Sequence, residues 1–261
     1  MKHTLLSRIP ENIPKSIAPY LKGAPIYDSS SSPEARVYFI DKLGGLYLKR
    51  GAPRSLYSEA VMDNFFHEKG FGAEVVDYLT DEYDWLLTTK VVGNDATDAK
   101  YLDNPKKLCS TIALALRALH ELDGTASPIK ERTKNYLAKA HEGHSLGKFD
   151  TSLFDCNVPF KTAEEAYKIL SERERLLKSE VLIHGDYCLP NIILNDWKLS
   201  GFIDLGGGGI GDRHVDIFWG AWTLVFNLKT DAYTDRFFDA YGKDKINPDA
   251  LLAIAAAETF A

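Results

Sequence analysis

The chain has 261 residues, of which 45% are hydrophobic and 26% charged, an ordinary globular composition. Its net charge of −6 argues against a nucleic-acid partner, since such proteins usually carry a basic balance, and it would suit a polycationic small substrate. No apolar run reaches the roughly 18 residues of a membrane span. We therefore expect a globular protein that binds neither nucleic acid nor membrane.

The N-terminal sequence and the cysteines bear on location. The first residues, MKHTLLSRIPENIP, lack the apolar segment and small-residue cleavage site of a secretory signal. The three cysteines, Cys109, Cys156 and Cys188, are odd in number and show no metal-type spacing. Reduced thiols are the expected state. We expect a cytoplasmic protein that is a monomer or a weak dimer.

The first part of the chain predicts a β-sheet preceded by a polar loop. Residues 29–33 read SSSSP, and a small polar loop between strands can cradle phosphates with its N–H groups and hydroxyls. Residues 37–40 and 46–49 form two predicted strands joined by a turn at Gly44-Gly45. The second strand ends at Lys49. This lysine is a candidate phosphate-binding group.

A helix follows, and it starts with an acid. It begins near Ser58-Glu59 and stops at Gly70, with Met62, Phe65 and Phe66 on one face. A lysine on a strand and a glutamate at the start of the next helix are typical of the kinase ion pair that orients the α- and β-phosphates. Lys49 and Glu59 therefore form a predicted pair.

The chain changes character near residue 90. Two more strands are predicted over residues 73–79 and 85–89, and we expect roughly five antiparallel strands around one helix, of which these four are located. Residues 91–93 form a connector, and the chain after it is mainly helical. We predict an N-terminal lobe of residues 1–90 and a helical C-terminal lobe of residues 91–261.

The second lobe is predicted to contain several helices. One starts at Asn104-Pro105 and buries leucines and Ile112 at helical spacing. Another starts with the capping box of Thr162 and Glu165. Residues 217–226 are apolar nearly all round, which predicts a buried helix. Two further helices are predicted over residues 233–241 and 248–260.

Residues 181–206 carry the strongest functional pattern. Short apolar runs flank a turn signal at Asn195-Asp196, which predicts a β-hairpin. Asp186 and Asn191 precede the hairpin, and Asp204-Leu205-Gly206 follows it. This order and spacing match the kinase catalytic set of Asp, Asn and Asp-x-Gly. The oxygen ligands suit Mg²⁺, which takes one or two protein groups plus waters and substrate phosphates.

Two rival motifs occupy the same region. Gly206, Gly208 and Gly211 satisfy the dinucleotide pattern G-x-G-x-x-G, but no βαβ unit follows them. Two His-x-Asp pairs, starting at His184 and His214, could bind transition metals in a hydrolase. More simply, His184 braces the loop before Asp186, and Asp216 at the start of a buried helix accepts loop N–H groups.

The sequence resembles the aminoglycoside 3′-phosphotransferases, or kanamycin kinases, of the protein-kinase-like superfamily. The similarity lies in LIHGDYCLPN at residues 182–191, LSGFIDLG at residues 199–206, Asp212-Arg213, LYLK at residues 46–49 and Glu59-Ala60. It implies an α+β, bilobal kinase-like fold. The small N-terminal lobe would hold an antiparallel sheet and one helix, and the larger helical lobe would carry the catalytic hairpin.

The resemblance also implies roles for individual residues. Asp186 would act as the base-like residue that orients the substrate hydroxyl, and Asn191 and Asp204 would hold Mg²⁺. ATP or GTP would bind to the N-terminal lobe. The implied nucleotide-binding residues are Lys49 with Glu59 at the phosphates, Ser32 in the phosphate-covering loop, Tyr47 stacked on the adenine ring, and Thr89 and Val91 in the hinge.

The substrate side departs from the family pattern. Gly207 stands where the family usually has an arginine, and the last residues, AETFA, contain one acid where the family has two. Polyamine sugars need carboxylates to bind their ammonium groups. Asp155 and Glu258 are the predicted substrate-binding acids.

The sequence therefore predicts an ATP-dependent phosphotransferase that modifies a sugar hydroxyl of an aminoglycoside antibiotic, at the 3′ position, and so confers resistance. Alternatives are a kinase of another small alcohol, such as an amino sugar or a choline-like metabolite, a metal-dependent hydrolase, and a nucleotide-binding module without catalysis. The intact set of Lys49, Asp186, Asn191 and Asp204 argues against the last of these.

Overall fold

The computed structural model describes residues 4–7, 11–30, 35–154 and 158–261. The chain divides into two compact units. The first contains residues up to Asp95 together with Asn191–Gly206, and the second contains Ala96–Pro190 and Gly207–Ala261. The predicted lobes placed everything after residue 90 in the second lobe, whereas the hairpin residues group with the first unit.

A six-stranded antiparallel sheet dominates the first unit. The strand order is β1-β2-β3-β4-β6-β5, with β1 at Thr4–Leu5, β2 at Ile26–Asp28, β3 at Arg36–Ile40, β4 at Leu46–Gly51, β5 at Val75–Thr80 and β6 at Asp84–Thr89. Two helices belong to this unit, α1 at Ala18–Leu21 and α2 at Tyr57–Glu68. The short strands β1 and β2 are additions to the strands located from the sequence.

Alternation along the central strands sorts side chains between the two faces of the sheet. Leu46 and Leu48 of β4 join Trp85 and Leu87 of β6 in one buried cluster. Lys49 is paired with Leu86, so both point to the other face. There Leu86 packs against Leu56 and Ala60 at the start of α2. The pattern that buries the leucines thus directs Lys49 towards α2.

A hairpin completes the first unit. Strand β7 (Asn94–Asp95) pairs with β9 (Ile192–Asn195), which pairs with β10 (Lys198–Phe202). The predicted hairpin is confirmed, but its turn residues are Asp196 and Trp197, which have φ of 47° and 67°. Both central residues lie in the left-handed region, as a two-residue type I′ turn requires. The turn signal at Asn195-Asp196 was therefore one residue early.

The second unit is mainly helical. Its helices are α3 at Ala99–Leu102, α4 at Pro105–His120, α5 at Arg132–Ser145, α6 at Ala163–Arg173, α7 at Arg213–Leu228, α8 at Thr234–Tyr241 and α9 at Pro248–Glu258. Strands β8 (Val181–Ile183) and β11 (Gly209–Gly211) form an antiparallel pair. This pairing, which leads directly into α7, contradicts the parallel βαβ unit of a dinucleotide fold. None of the helices in the described ranges is long and apolar enough to cross a membrane.

The helix predictions for this unit are confirmed, with one correction. Thr162 accepts a hydrogen bond from the Glu165 N–H at 3.2 Å, as a capping residue does. The segment 217–226 lies within α7, as predicted, but it is not buried all round, because Phe226 is 54% exposed. An apolar pattern on every face does not reveal which faces are covered by neighbouring elements.

Candidate functional site

In the first unit, Lys49 connects two acids. Its Nζ donates to Glu59 Oε1 and Oε2 at 2.9 and 2.8 Å and to Asp204 Oδ1 at 2.6 Å. Burial alone would lower the pKa of Lys49, but the Glu59 and Asp204 carboxylates outweigh it and raise that pKa. The ammonium is therefore fixed in its charged form, as a phosphate-binding group must be.

A third acid, Asp63, lies in the same region of the first unit. It follows Glu59 by four residues on α2, so both occupy one face of the helix, and it is 4% exposed. Burial raises the pKa of Asp63 well above its ordinary value, and the charge of Glu59 adds to the effect. Sequence reasoning missed Asp63, although its spacing from Glu59 was a usable signal.

The hairpin brings Asn191 and Asp204 to one end. Ile192 pairs with Phe202, so the residues immediately outside this pair flank the same end of the hairpin. The Ile203 N–H donates to the Asn191 carbonyl at 3.1 Å. Asp204 itself has a φ of 63°, a left-handed conformation that is uncommon for a residue with a side chain.

The donor chemistry at this end of the hairpin fits Mg²⁺. One amide and one carboxylate are the hard oxygen groups that Mg²⁺ uses beside waters and phosphates. In the parts of the chain that the structure describes, no group of three or more His, Cys, Asp and Glu side chains could hold a metal ion. Two protein groups agree better with a magnesium–nucleotide site than with the dedicated cage of a transition metal.

Two of the predicted adenine-binding residues, Tyr47 and Thr89, lie on the six-stranded sheet, and Val91 follows it. Tyr47 is half-buried, with its ring centroid 5.2 Å from that of Phe39, and Thr89 ends β6. The Thr89 hydroxyl accepts from the Glu74 N–H at 3.0 Å. Val91 is half-buried just beyond β6. Ser32 lies outside the described residues, and the roles of the other three stay predictions.

In the second unit, the loop that follows β8 is held by buried side chains. Asp216 of α7 accepts the N–H groups of His184 and Gly185, both at 2.7 Å, and a ring nitrogen of His120 lies 3.1 Å from it. His184 is fully buried and its Nδ1 accepts from the Asp186 N–H at 3.2 Å. Asp186 therefore sits on a loop whose backbone is fixed, and its carboxyl is half-buried.

The same loop is anchored to two helices. Tyr187 donates its hydroxyl hydrogen to the Ile112 carbonyl of α4 at 2.8 Å, and the Leu189 N–H donates to Thr223 Oγ1 of α7 at 3.1 Å. A side chain on Gly185, which has φ of 85°, would collide with the Gly207 backbone. A Cβ on Gly207 would lie 3.0 Å from the Gly185 carbonyl carbon. A side chain at position 207 would therefore require a small shift of the Gly185 backbone.

The transition-metal alternative is not favoured by these contacts. Both carboxylate oxygens of Asp216 accept hydrogen bonds from backbone N–H groups of the loop. His214 bonds to Asp212 through Nδ1 at 2.7 Å and accepts from the Asn247 N–H through Nε2 at 2.9 Å. Both nitrogens of His214 are thus occupied within the protein, whereas a metal ligand needs one free.

Of the two predicted substrate acids, Glu258 lies within the residues that the structure describes. Glu258 is 9% exposed and accepts from the Tyr136 hydroxyl at 2.8 Å and the Trp219 Nε1–H at 3.1 Å. Burial raises the pKa of Glu258, and the charge of Asp186 adds to this effect. Its contact with a substrate stays a prediction. Asp155 lies outside the described residues.

Sequence comparisons with known proteins show which family the chain resembles. The sequence profile of the phosphotransferase enzyme family matches residues 30–254. The chain is 47% identical, over 96% of its length and 95% of the relative's, to a Lactococcus lactis protein named "Probable aminoglycoside 3′-phosphotransferase". It is 32% identical to an aminoglycoside 3′-phosphotransferase of Niallia circulans over 64% of this chain and 63% of that relative.

Solved structures show the same fold. The crystal structure of an aminoglycoside-3′-phosphotransferase of type VIII has a TM-score of 0.66 and 22% identity, covering 90% of this chain and 91% of that one. The aminoglycoside phosphotransferase APH(3″)-Id from Streptomyces rimosus, in complex with ADP and streptomycin, has a TM-score of 0.68 and 22% identity, covering 87% of this chain and 91% of that one. The predicted α+β, kinase-like fold class is confirmed.

The chain is thus a kinase-like phosphotransferase in fold and in family. It belongs to the phosphotransferase enzyme family, and the family resemblance drawn from its sequence is confirmed.

Proposed function

We propose that the protein phosphorylates a hydroxyl group of an aminoglycoside antibiotic, at the 3′ position, with ATP as donor, and so confers resistance. The supporting observation is the bridge from Lys49 to Glu59 and Asp204, the arrangement that orients nucleotide phosphates and metal in kinases. The aminoglycoside 3′-phosphotransferase names of the relatives support the acceptor. GTP is an alternative donor.

The reaction follows from the groups of this chain. The acceptor hydroxyl oxygen forms a bond to the γ-phosphorus, the bond from that phosphorus to the β–γ bridging oxygen breaks, and ADP leaves. The Asp186 carboxylate orients the hydroxyl and accepts its proton. Lys49 neutralises the α- and β-phosphates, and Asn191 and Asp204 would hold Mg²⁺, which supplies charge neutralisation at the phosphates when bound. Catalysis is thus positioning and electrostatics.

The first test is turnover. Purified protein is incubated with ATP, Mg²⁺ and kanamycin or neomycin, and ADP release is followed in a coupled assay. Asp186→Ala is expected to lower kcat by about 10²–10⁴-fold, the usual contribution of a positioned proton acceptor. Asp235→Ala is the matched control, because the Asp235 side chain is 88% exposed. Full turnover by the Asp186 variant would refute the mechanism.

The acceptor and its position need a substrate panel. Kanamycin and its 3′-deoxy analogues are compared with non-antibiotic alcohols, including amino sugars and choline. Resistance is measured in cells that express the protein. We expect these cells to be protected from the 3′-hydroxyl compounds and not from the 3′-deoxy analogues. Equal protection from 3′-deoxy compounds would refute the position, and turnover of a non-antibiotic alcohol alone would favour the small-alcohol kinase. We also propose the cytoplasm as the site of action, because the described cysteines, Cys109 and Cys188, are free thiols.

A further inference from the structure

Helix α7 presents one face to the loop that carries Asp186. Asp216, Gly220 and Thr223 follow one another at spacings of four and three residues, which places them on one side of the helix. Asp216 and Thr223 bond to the loop backbone. A Cβ at Gly220 would lie 3.3 Å from Cδ1 of Tyr187. This side of α7 therefore packs against the loop, and at Gly220 also against Phe237 of α8.

The neighbouring side of α7 carries an aromatic stripe, which we define as Trp219, Trp222 and Phe226. The Trp219 and Trp222 rings meet edge to face with centroids 5.3 Å apart, and Trp222 stacks on Phe226 at 4.9 Å with planes 14° apart. Phe226 is 54% exposed, and the two tryptophans are half-buried. Trp222 also donates its Nε1–H to the Leu153 carbonyl at 2.6 Å. Exposed aromatic groups that lie side by side are one of the features that mark an interaction site.

Charges around the stripe show what it could bind. At one end, Trp219 donates to the carboxylate of Glu258, one of the two predicted substrate acids, at 3.1 Å. At the other end, Nζ of Lys229 lies 4.2 Å from the centroid of the Phe226 ring. This is the geometry of a cation–π contact. The stripe thus runs from the Glu258 carboxylate to a ring whose face already contacts an ammonium group.

We propose that Trp219, Trp222 and Phe226 form part of the acceptor site, where their ring faces bind the C–H faces and ammonium groups of an amino sugar. The inference rests on the proposed function and names the side chains that select its substrate. Aromatic faces bind ammonium ions through the ring quadrupole, so they substitute for acids that polyamine recognition otherwise needs. Lys229 competes for the Phe226 face.

The test compares variants of Phe226 that separate ring chemistry from bulk. Phe226→Leu keeps apolar volume without a π face, and Phe226→Tyr keeps the face. We expect Phe226→Leu to raise the KM for kanamycin about two- to fivefold, as loss of an exposed cation–π contact predicts, with the KM for ATP unchanged. Phe226→Tyr should restore the wild-type value. Leu114→Ala is the control, because Leu114 is 56% exposed on α4.

Lys229 gives a test with the opposite sign. Lys229 caps α7 in the left-handed conformation, with φ of 57°, which asparagine tolerates. Lys229→Asn should therefore keep the fold and lower the KM for kanamycin by removing the competing ammonium. Equal KM values for Phe226→Leu and wild type, or a raised KM for Lys229→Asn, would overturn the inference. A dimer that dissociates on Phe226→Ala would also overturn it, since the stripe would then be a subunit interface.

A binding measurement separates the inference from the proposed function. Kanamycin is titrated without ATP, and tryptophan fluorescence is compared between the wild type and Trp222→Phe. Saturable quenching that is reduced in the variant supports the stripe whether or not phosphate is transferred. Quenching without turnover on any aminoglycoside would refute the proposed function alone, and identical titrations of the two proteins would refute the inference alone.

Discussion

In the first unit the predicted phosphate-binding side chains contact one another, whereas in the second unit the side chains around Asp186 contact the loop backbone. Lys49 is fixed by the carboxylates of Glu59 and Asp204. The loop of Asp186 is fixed by Asp216, whose carboxylate accepts hydrogen bonds from backbone N–H groups of that loop. We call Lys49, Glu59, Asp63 and Asp204 the charge cluster. Such a cluster requires particular residue types at particular spacings in the sequence. A braced loop needs buried acceptors, which several sequences could supply.

This difference predicts that changes in the charge cluster reduce activity most. We expect Lys49→Met to lower kcat/KM by about 10²–10³-fold, because a positioned charge on the transferring phosphates is lost. Thermal unfolding measured alongside checks that the fold is kept. Lys168→Met, at a side chain 75% exposed on α6, is the control. An Lys49 variant as active as this control would mean that the cluster is only structural.

Changes in the bracing residues should act mainly on stability. Asp216→Ala leaves the His184 and Gly185 N–H groups buried without their acceptor, at a cost of roughly 2–5 kcal/mol in the free energy of unfolding. Urea denaturation measures this cost. Asp216→Asn keeps one acceptor oxygen and should lose less. If the alanine variant unfolds like the wild type, water replaces the carboxylate and the contrast between the units disappears.

The same contrast explains what the sequence could predict. Lys49, Glu59, Asn191 and Asp204 were predicted because the kinase pattern fixes their order and spacing. The structure brings Lys49, Glu59 and Asp204 into contact, and the roles of all four stay predictions. Strands β1, β2 and β7 were missed, since segments of two or three residues are too short for a periodic signal.

The exposed face of α7 was harder to predict for a physical reason. An apolar stretch such as residues 217–226 looks the same whether it is packed or open to a ligand. The sequence therefore suggested burial for Phe226, which is 54% exposed. Exposure depends on which neighbours cover a helix, and this is decided by the tertiary structure.

Asp63 provides the smallest expected effect and the finest test of the charge cluster. The cluster contains three carboxyl groups, from Glu59, Asp63 and Asp204, and one ammonium from Lys49. Burial, and then the charge of Glu59, raises the pKa of Asp63 well above 3.8. The native state therefore binds this proton more tightly than the unfolded chain does. The contribution of Asp63 to the free energy of unfolding therefore decreases as the pH rises from about 3.8 to the raised pKa, and it is constant above that pKa.

Asp63→Asn removes this titration, because the amide is neutral at every pH. The Tm of the variant relative to wild type should therefore increase as the pH rises through that window, and thermal unfolding between pH 4 and 8 measures it. Asp235→Asn, at an exposed acid, should give a difference that does not change in this way. A flat difference for Asp63→Asn would mean that Asp63 ionises with little penalty, so that its own carboxylate is charged in the native state. The proton would then have to be sought on Glu59, whose pKa burial also raises against the opposing charge of Lys49.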